Sequence, residues 1–281
     1  MTGPGVTFQR NVGTGAGISG HVRRHWPEYL IEAGALGAFM VSAAMFATLL
    51  EHPASLVREA LPNPALRRVL MGLAMAGTAM AIIYSSFGAR SGAHMNPAVT
   101  LTFARLGRIT GRDAAGYITA QTIGGVAGLL LAFGVLGRRL ADPSVNFVAT
   151  LPGPWGEPAA FAAEMLIAYI QMTVVLTVSN GRHAKWTGVA AASMVAVYIS
   201  IEAPISGMSL NPARSFAPAL LSGSFSSLWI YLAAPLSGMA LAAEVFVRRR
   251  GLAAVICAKL NHAGAGPCVF GCDRRAASPA A

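Results

Sequence analysis

The chain has 281 residues, of which 54% are hydrophobic and only 11% charged, with a mean hydropathy of +0.56. An ordinary soluble domain is about 25% charged, so this composition excludes one and places the chain in a membrane. The formal net charge of +10 would suggest nucleic-acid binding in a soluble protein, but no nucleic-acid-binding module is recognisable, and in a membrane chain the bases first report topology.

Residues 1–28 carry Arg10, Arg23, Arg24 and many glycines without an apolar run. They predict a flexible tail, not a cleaved leader. A spanning helix needs roughly 20 mostly apolar residues, and six segments meet that: about 29–50, 68–88, 114–136, 159–179, 187–205 and 226–247. Glu32 and Glu164 open the first and fourth segments, and Glu244 lies near the end of the sixth. Carboxylates at such depth must face protein or water. No ladder of ionisable groups accompanies Glu32 and Glu164, which favours hydrogen bonding to loop backbone over proton relay.

Two shorter apolar stretches, MNPAVTLTFA (95–104) and LNPARSFAPAL (210–220), reach only half-way across a bilayer. Each follows a Ser-Gly turn, SGAHMNPA and SGMSLNPA, with Asn96 answering Asn211. Three full spans separate the copies, so the two halves, about 29–136 and 159–247, have opposite orientation: an inverted repeat. With the N-terminus inside, fourteen bases fall on the inner side and five in the outer loops, with Arg90 and Arg214 in the repeated boxes. The positive-inside rule then puts both termini in the cytoplasm.

In each box the asparagine is a good N-cap and the proline a good first helical residue, so Asn96-Pro97-Ala98 and Asn211-Pro212-Ala213 each start a short helix. A helix end at membrane depth is tolerated where it is buried or lines a wet cavity. Two half-helices from opposite sides meet at N-termini that each carry roughly +0.5 of an elementary charge, which repels cations. The asparagine amides can donate to a passing oxygen while loop carbonyls accept from it. Arg214, one turn beyond Asn211, adds donors and a fixed charge towards the outer mouth.

The paired Asn-Pro-Ala boxes, the SGAH lead-in, the six spans and the opening glutamates resemble the aquaporin or major intrinsic protein family, over about residues 29–247. YITAQTIGG (117–125) and WIYLAAPLSG (229–238) agree with its third and sixth helices. The resemblance implies an all-α membrane protein of six transmembrane helices plus two half-helices, usually a homotetramer with a pore through each protomer. It implies selectivity set by four residues. Counting back from each box without gaps puts Ala76, Ile199 and Met208 in the first three places, with Arg214 in the fourth. Dedicated water channels are expected to carry phenylalanine and histidine in the first two. Ala76 widens the ring, Ile199 removes a donor, and Met208 can fill the vacated space. Ser215 departs from the glycerol channels, in which aspartate follows the arginine. The quartet is similar to plant nodulin-like intrinsic proteins, which pass glycerol, boric acid or similar uncharged solutes. The resulting expectation is a passive channel for water and small neutral solutes in a cell (plasma or bacterial inner) membrane, not an enzyme, with no required cofactor. The alternatives are a strict water channel with Met208 closing the ring, and a coupled small-solute transporter, although no Asp or Glu accompanies the boxes.

His94 resembles the family's loop histidine near the inner mouth, with a bracing role favoured over gating. Arg90 reads as a snorkelling arginine in preference to a second electrostatic gate. All three cysteines lie beyond the last span, in the tail 248–281. Cys257, His262, Cys268 and Cys272 have the ligand number and type of a tetrahedral zinc site, but their spacing, C-x4-H-x5-C-x3-C, is not a common zinc pattern, and free or palmitoylated thiols remain the alternative.

Overall fold

The computed structural model describes residues 18–262 and 268–272. Arg10, Arg274 and Arg275, used above in the charge count, lie outside the described residues, as does the expected tail over 1–17. The helices are α1 Ile18–Glu51, α2 Leu56–Ala60, α3 Pro64–Tyr84, α4 Ser86–Ser91, α5 Pro97–Arg105, α6 Gly111–Leu136, α7 Gly156–Ser179, α8 Thr187–Ile201, α9 Ala203–Ser206, α10 Pro212–Ser222 and α11 Leu228–Arg250. Among the described residues no strand occurs. Six of the helices are long and apolar enough to cross a membrane: α1, α3, α6, α7, α11, and α8 together with the helical turn ahead of it. The chain is a multi-pass membrane protein.

Several boundaries differ from expectation. Helix α1 starts at Ile18, well ahead of the boundary at 29. Its polar turns are tied down: His25 Nδ1 lies 2.6 Å from Asp113 of α6, the Tyr29 hydroxyl donates to the same carboxylate at 2.8 Å, and Arg90 of α4 donates to Glu28 at 2.9 Å. Arg90 is therefore ion-paired and not simply snorkelling, with its side chain 56% exposed. The expected second span, 68–88, is shifted and interrupted. Asn63 caps α3 by accepting from Ala65 N and Leu66 N, and Ser85 leaves the helix in an extended conformation to cap α4 through Gly88 N.

The two halves pack alike, α1 against α6 and α7 against α11. A side chain on Gly128 would lie 2.3 Å from Gly37 O, and one on Gly238 would lie 2.2 Å from Met165 O. Glycine lets these helix pairs approach to backbone contact, where dispersion replaces the hydrophobic drive that lipid cannot supply. Both half-helices, α5 and α10, are seated against α6 and α11, one helix from each pair.

Candidate functional site

The loops leading into α5 and α10 have the same backbone. Gly92, Ala93 and Met95 take φ of 102°, 54° and 49°, and Gly207, Met208 and Leu210 take 82°, 52° and 60°. Left-handed conformations at non-glycine residues cost of order 1 kcal/mol or more each, so something must hold them. In the first loop, Glu32 Oε1 accepts from Ser91 Oγ and His94 N, and Oε2 accepts from Met95 N. In the second, Glu164 Oε1 accepts from Ser206 Oγ and Ser209 N, and Oε2 accepts from Leu210 N. Tyr117 donates to Ser91 O at 2.7 Å and Tyr231 to Ser206 O at 2.5 Å. Both glutamates are fully buried. The inverted repeat thus extends to individual hydrogen bonds. One difference remains: Gln121 of α6 also donates to Glu32, at 2.8 Å, while Pro235 occupies the corresponding place in α11.

The half-helices meet at their asparagines. Asn96 Oδ1 caps α5 by accepting from Ala98 N, and Asn211 Oδ1 caps α10 by accepting from Ala213 N and Arg214 N. Each amide nitrogen then crosses to the other loop, Asn96 Nδ2 to Leu210 O at 2.8 Å and Asn211 Nδ2 to Met95 O at 2.6 Å. One N–H of each amide is therefore engaged in bracing, which leaves one for a solute. Pro97 and Pro212 are the first residues of α5 and α10, and Ala98 and Ala213 are buried behind them.

A cavity of about 310 Å³ runs past these asparagines. At one end it is lined by Leu50, Arg68 and Val148, and at the end where α1 begins and α11 ends by Ile83, Val175 and Leu260. Ile199, Met208 and Arg214 line it, but Ala76 does not. The face of α3 turned to the cavity carries Arg68, Met71, Met75, Ala79 and Ile83, at helical spacing. Ala76 lies one residue, about 100°, around the helix and packs against Ala192 of α8. Of these two neighbours it is Met75, and not the expected Ala76, that lines the cavity.

Arg214 is half-buried, and its Nη1 donates to Val148 O at 3.1 Å and Thr150 Oγ1 at 3.3 Å. Asn146, Phe147 and Val148 all adopt positive φ, which turns the Val148 carbonyl to the guanidinium. Ser215, behind Arg214, bridges Thr150 and Ser209 at 2.5 Å each. Gln171 was not apparent from sequence. It lines the cavity and donates to Ala191 O, while its buried Oε1 has no protein partner among the described residues. Its only signal in the sequence was a polar residue within an apolar run.

The sequence profile of the family described as "Major intrinsic protein" matches residues 26–246. The chain belongs to this family. Major intrinsic protein relatives include Aquaporin NIP1-1 of Zea mays, 35% identical over 156 residues, which cover 55% of this chain and 54% of that protein. Aquaporin NIP1-4 of Oryza sativa subsp. japonica is 37% identical over 165 residues, covering 57% of each. The chain spans about half the length of the curated relatives it matches. The X-ray structure of the aquaglyceroporin from Plasmodium falciparum superposes with a TM-score of 0.64 and 20% identity, covering 79% of this chain and 95% of that one. That likeness concerns the fold.

In this major intrinsic protein the segment after α11 packs back onto the end of the cavity that Ile83 and Val175 line. Ile256 N donates to Asn180, Lys259 Nζ to Ala89 O, Leu260 N to Gly92 O and Asn261 Nδ2 to Ile83 O, over 2.7, 2.8, 3.2 and 3.1 Å. His94 Nε2 donates to Ala258 O at 2.8 Å, which leaves Nδ1 of the neutral ring to accept from Thr100. The His94 ring lies between Phe103 and Phe270, with centroids at 5.4 and 5.6 Å. Cys257, His262, Cys268 and Cys272 come together, their ligand atoms all within 4.8 Å of one another. Hydrogen bonding with the Cys257 and Cys272 thiols holds Cys268 well below its ordinary value, and the same contacts push Cys257 up. One thiolate is thereby favoured within the group.

Proposed function

We propose that this major intrinsic protein is a passive transmembrane channel for water and small uncharged solutes, such as glycerol or boric acid, that excludes protons and ions. One observation carries the reading: the cavity passes two crossed asparagines at the facing N-termini of α5 and α10. A neutral solute that donates and accepts can exchange its water hydrogen bonds for the free asparagine N–H groups and loop carbonyls at small net cost. A cation meets two positive helix ends and Arg214. A channel of this family carries out no chemistry on its solute, and the reading requires no cofactor. The names of the relatives, aquaporins and an aquaglyceroporin, agree.

The apolar sides of Met75, Ile199 and Met208 opposite Arg214 suit solutes with one hydroxyl-bearing edge and one apolar edge. Two flexible thioethers on the cavity wall also favour a second reading, a strict water channel. Stopped-flow shrinkage and reswelling of proteoliposomes separates the two. Rapid water flux with reswelling in glycerol or boric acid is expected from protein treated with a chelator; no reswelling would leave only the water channel, and no water flux even after that treatment would end the channel reading.

The expected setting is a cell membrane, plasma or bacterial inner, with both termini cytoplasmic, in keeping with the distribution of bases. A homotetramer in the bilayer, without nucleic acid, is the expected assembly. The tail cluster of Cys257, His262, Cys268 and Cys272 supports a bound zinc ion, because three thiols and one imidazole are a closed tetrahedral donor set for that metal.

A further inference from the structure

The tail lies over the end of the cavity at which α1 begins and α11 ends. Leu260 forms the end of the cavity that contains both asparagines, and Val255, Cys257, Ala258, Lys259, Leu260 and Asn261 are all at most 7% exposed. The docked segment bonds to both halves of the repeat: to Asn180 beyond α7, and to Ile83, Ala89, Gly92 and His94 around α4 and the first box. A side chain on Gly92 would lie 3.0 Å from the Phe270 ring and 3.3 Å from Lys259, so the box lead-in is shaped to the tail.

Docking also has a cost. Lys259 is buried with a single backbone carbonyl partner, and desolvating an ammonium is expensive unless it is well compensated. A plug that carries such a penalty needs an additional fastening.

The four donor residues bracket both points of contact. Cys257 and His262 flank residues 258–261, which carry Leu260, and Cys268 and Cys272 flank Phe270, which stacks on His94. Cys257 Sγ and Cys268 Sγ are 3.5 Å apart, as are Cys272 Sγ and His262 Nε2. A tetrahedral site with zinc–sulfur bonds of about 2.3 Å has edges of about 3.8 Å, so small movements would bring all four onto one ion. The cysteines are otherwise free thiols.

We infer that a zinc-class cation bound by Cys257, His262, Cys268 and Cys272 latches the tail into the pore mouth, so that the channel is closed with metal and opens when the metal leaves. The inference rests on reading the cluster as a metal site. An ion joining the four ligands ties the two contacts into one body, and ligand that binds only the docked state shifts the docking equilibrium by mass action.

The test uses the full chain in proteoliposomes, with zinc content, water flux and trypsin sensitivity measured together. About one zinc per chain is expected. Stripping with a membrane-permeant chelator should raise water flux several-fold and expose the bond after Lys259 to trypsin, and restoring zinc should reverse both. Leu260→Ala should raise flux with zinc still bound, which separates the obstruction from the latch. Cys268→Ser should lose zinc and show high flux that the chelator does not change. If Cys268→Ser fails to fold, stripping and restoring the wild-type chain decides alone. Absence of zinc in protein purified with zinc present would overturn the metal reading and the latch with it. Stoichiometric zinc with flux and trypsin sensitivity unchanged by stripping would overturn the latch and leave the metal site standing.

Discussion

Asn96 and Asn211 hold each other's loops: each donates an amide N–H to the backbone one residue before the other asparagine, to Leu210 O at 2.8 Å and Met95 O at 2.6 Å. Each also caps its own half-helix. The centre of the pore is therefore a single hydrogen-bonded joint, and its two halves cannot be altered independently.

Asn211→Asp isolates the donor. The carboxylate can still cap α10, but it cannot donate to Met95 O, and it places a negative charge where two positive helix ends meet. The variant should fold with somewhat lower stability, since a net hydrogen bond is worth about 1 kcal/mol, and it should admit protons. A pH-sensitive dye inside proteoliposomes reads the leak. Intact proton exclusion would mean that the barrier lies elsewhere than at the helix ends.

Glu164 supplies the acceptors for Ser206 Oγ, Ser209 N and Leu210 N in a loop with two non-glycine residues at positive φ. Glu164→Ala leaves these buried donors unpaired, at about 1–3 kcal/mol each. A loss of several kcal/mol is expected, read as a large fall in Tm in detergent or as failure to accumulate folded protein. Because Glu32 holds the first loop in the same way, Glu32→Ala should be comparably damaging.

Met75 and Ala76 test the register of α3. Met75→Ala should enlarge the opening and raise glycerol flux, because Met75 lines the cavity. Ala76→Met should leave selectivity unchanged but lower stability by about 1–3 kcal/mol through overpacking, because Ala76 is 3% exposed and packs on α8. The opposite pattern in paired flux and Tm measurements would restore the gapless register. Met208→Ala should add to the effect of Met75→Ala if both thioethers face the solute.

The same pair shows what could be read from the chain alone. The half-helices were legible because Asn-Pro states a cap and a first turn locally, and because the statement occurs twice. The glutamates were legible because a carboxylate in an apolar segment has few tolerable surroundings. That Met75 and not Ala76 lines the cavity was not legible, since it depends on the rotation of α3 about its axis, which packing against α8 sets. Nor was the placement of Leu260. Its segment has no helical or strand period, and its partners are backbone carbonyls at Ala89, Gly92 and Ile83 that converge only after α3, α4 and the first box have folded.

Arg214 combines charge with geometry, and the two can be separated. Its Nη1 donates to Val148 O and Thr150 Oγ1, which fixes the guanidinium in the cavity wall. Lysine keeps the charge but replaces the planar fork with a flexible point charge. Arg214→Lys should therefore retain ion exclusion, while glycerol flux changes because the ammonium is free to move into the opening. Arg214→Val removes both properties. It should raise glycerol flux and weaken cation exclusion, since only the helix ends then oppose a cation. Water and glycerol fluxes measured beside a cation-leak assay distinguish the cases. If Arg214→Lys and Arg214→Val leak cations equally, the fixed geometry of the guanidinium, and not its charge, is what guards this end of the pore.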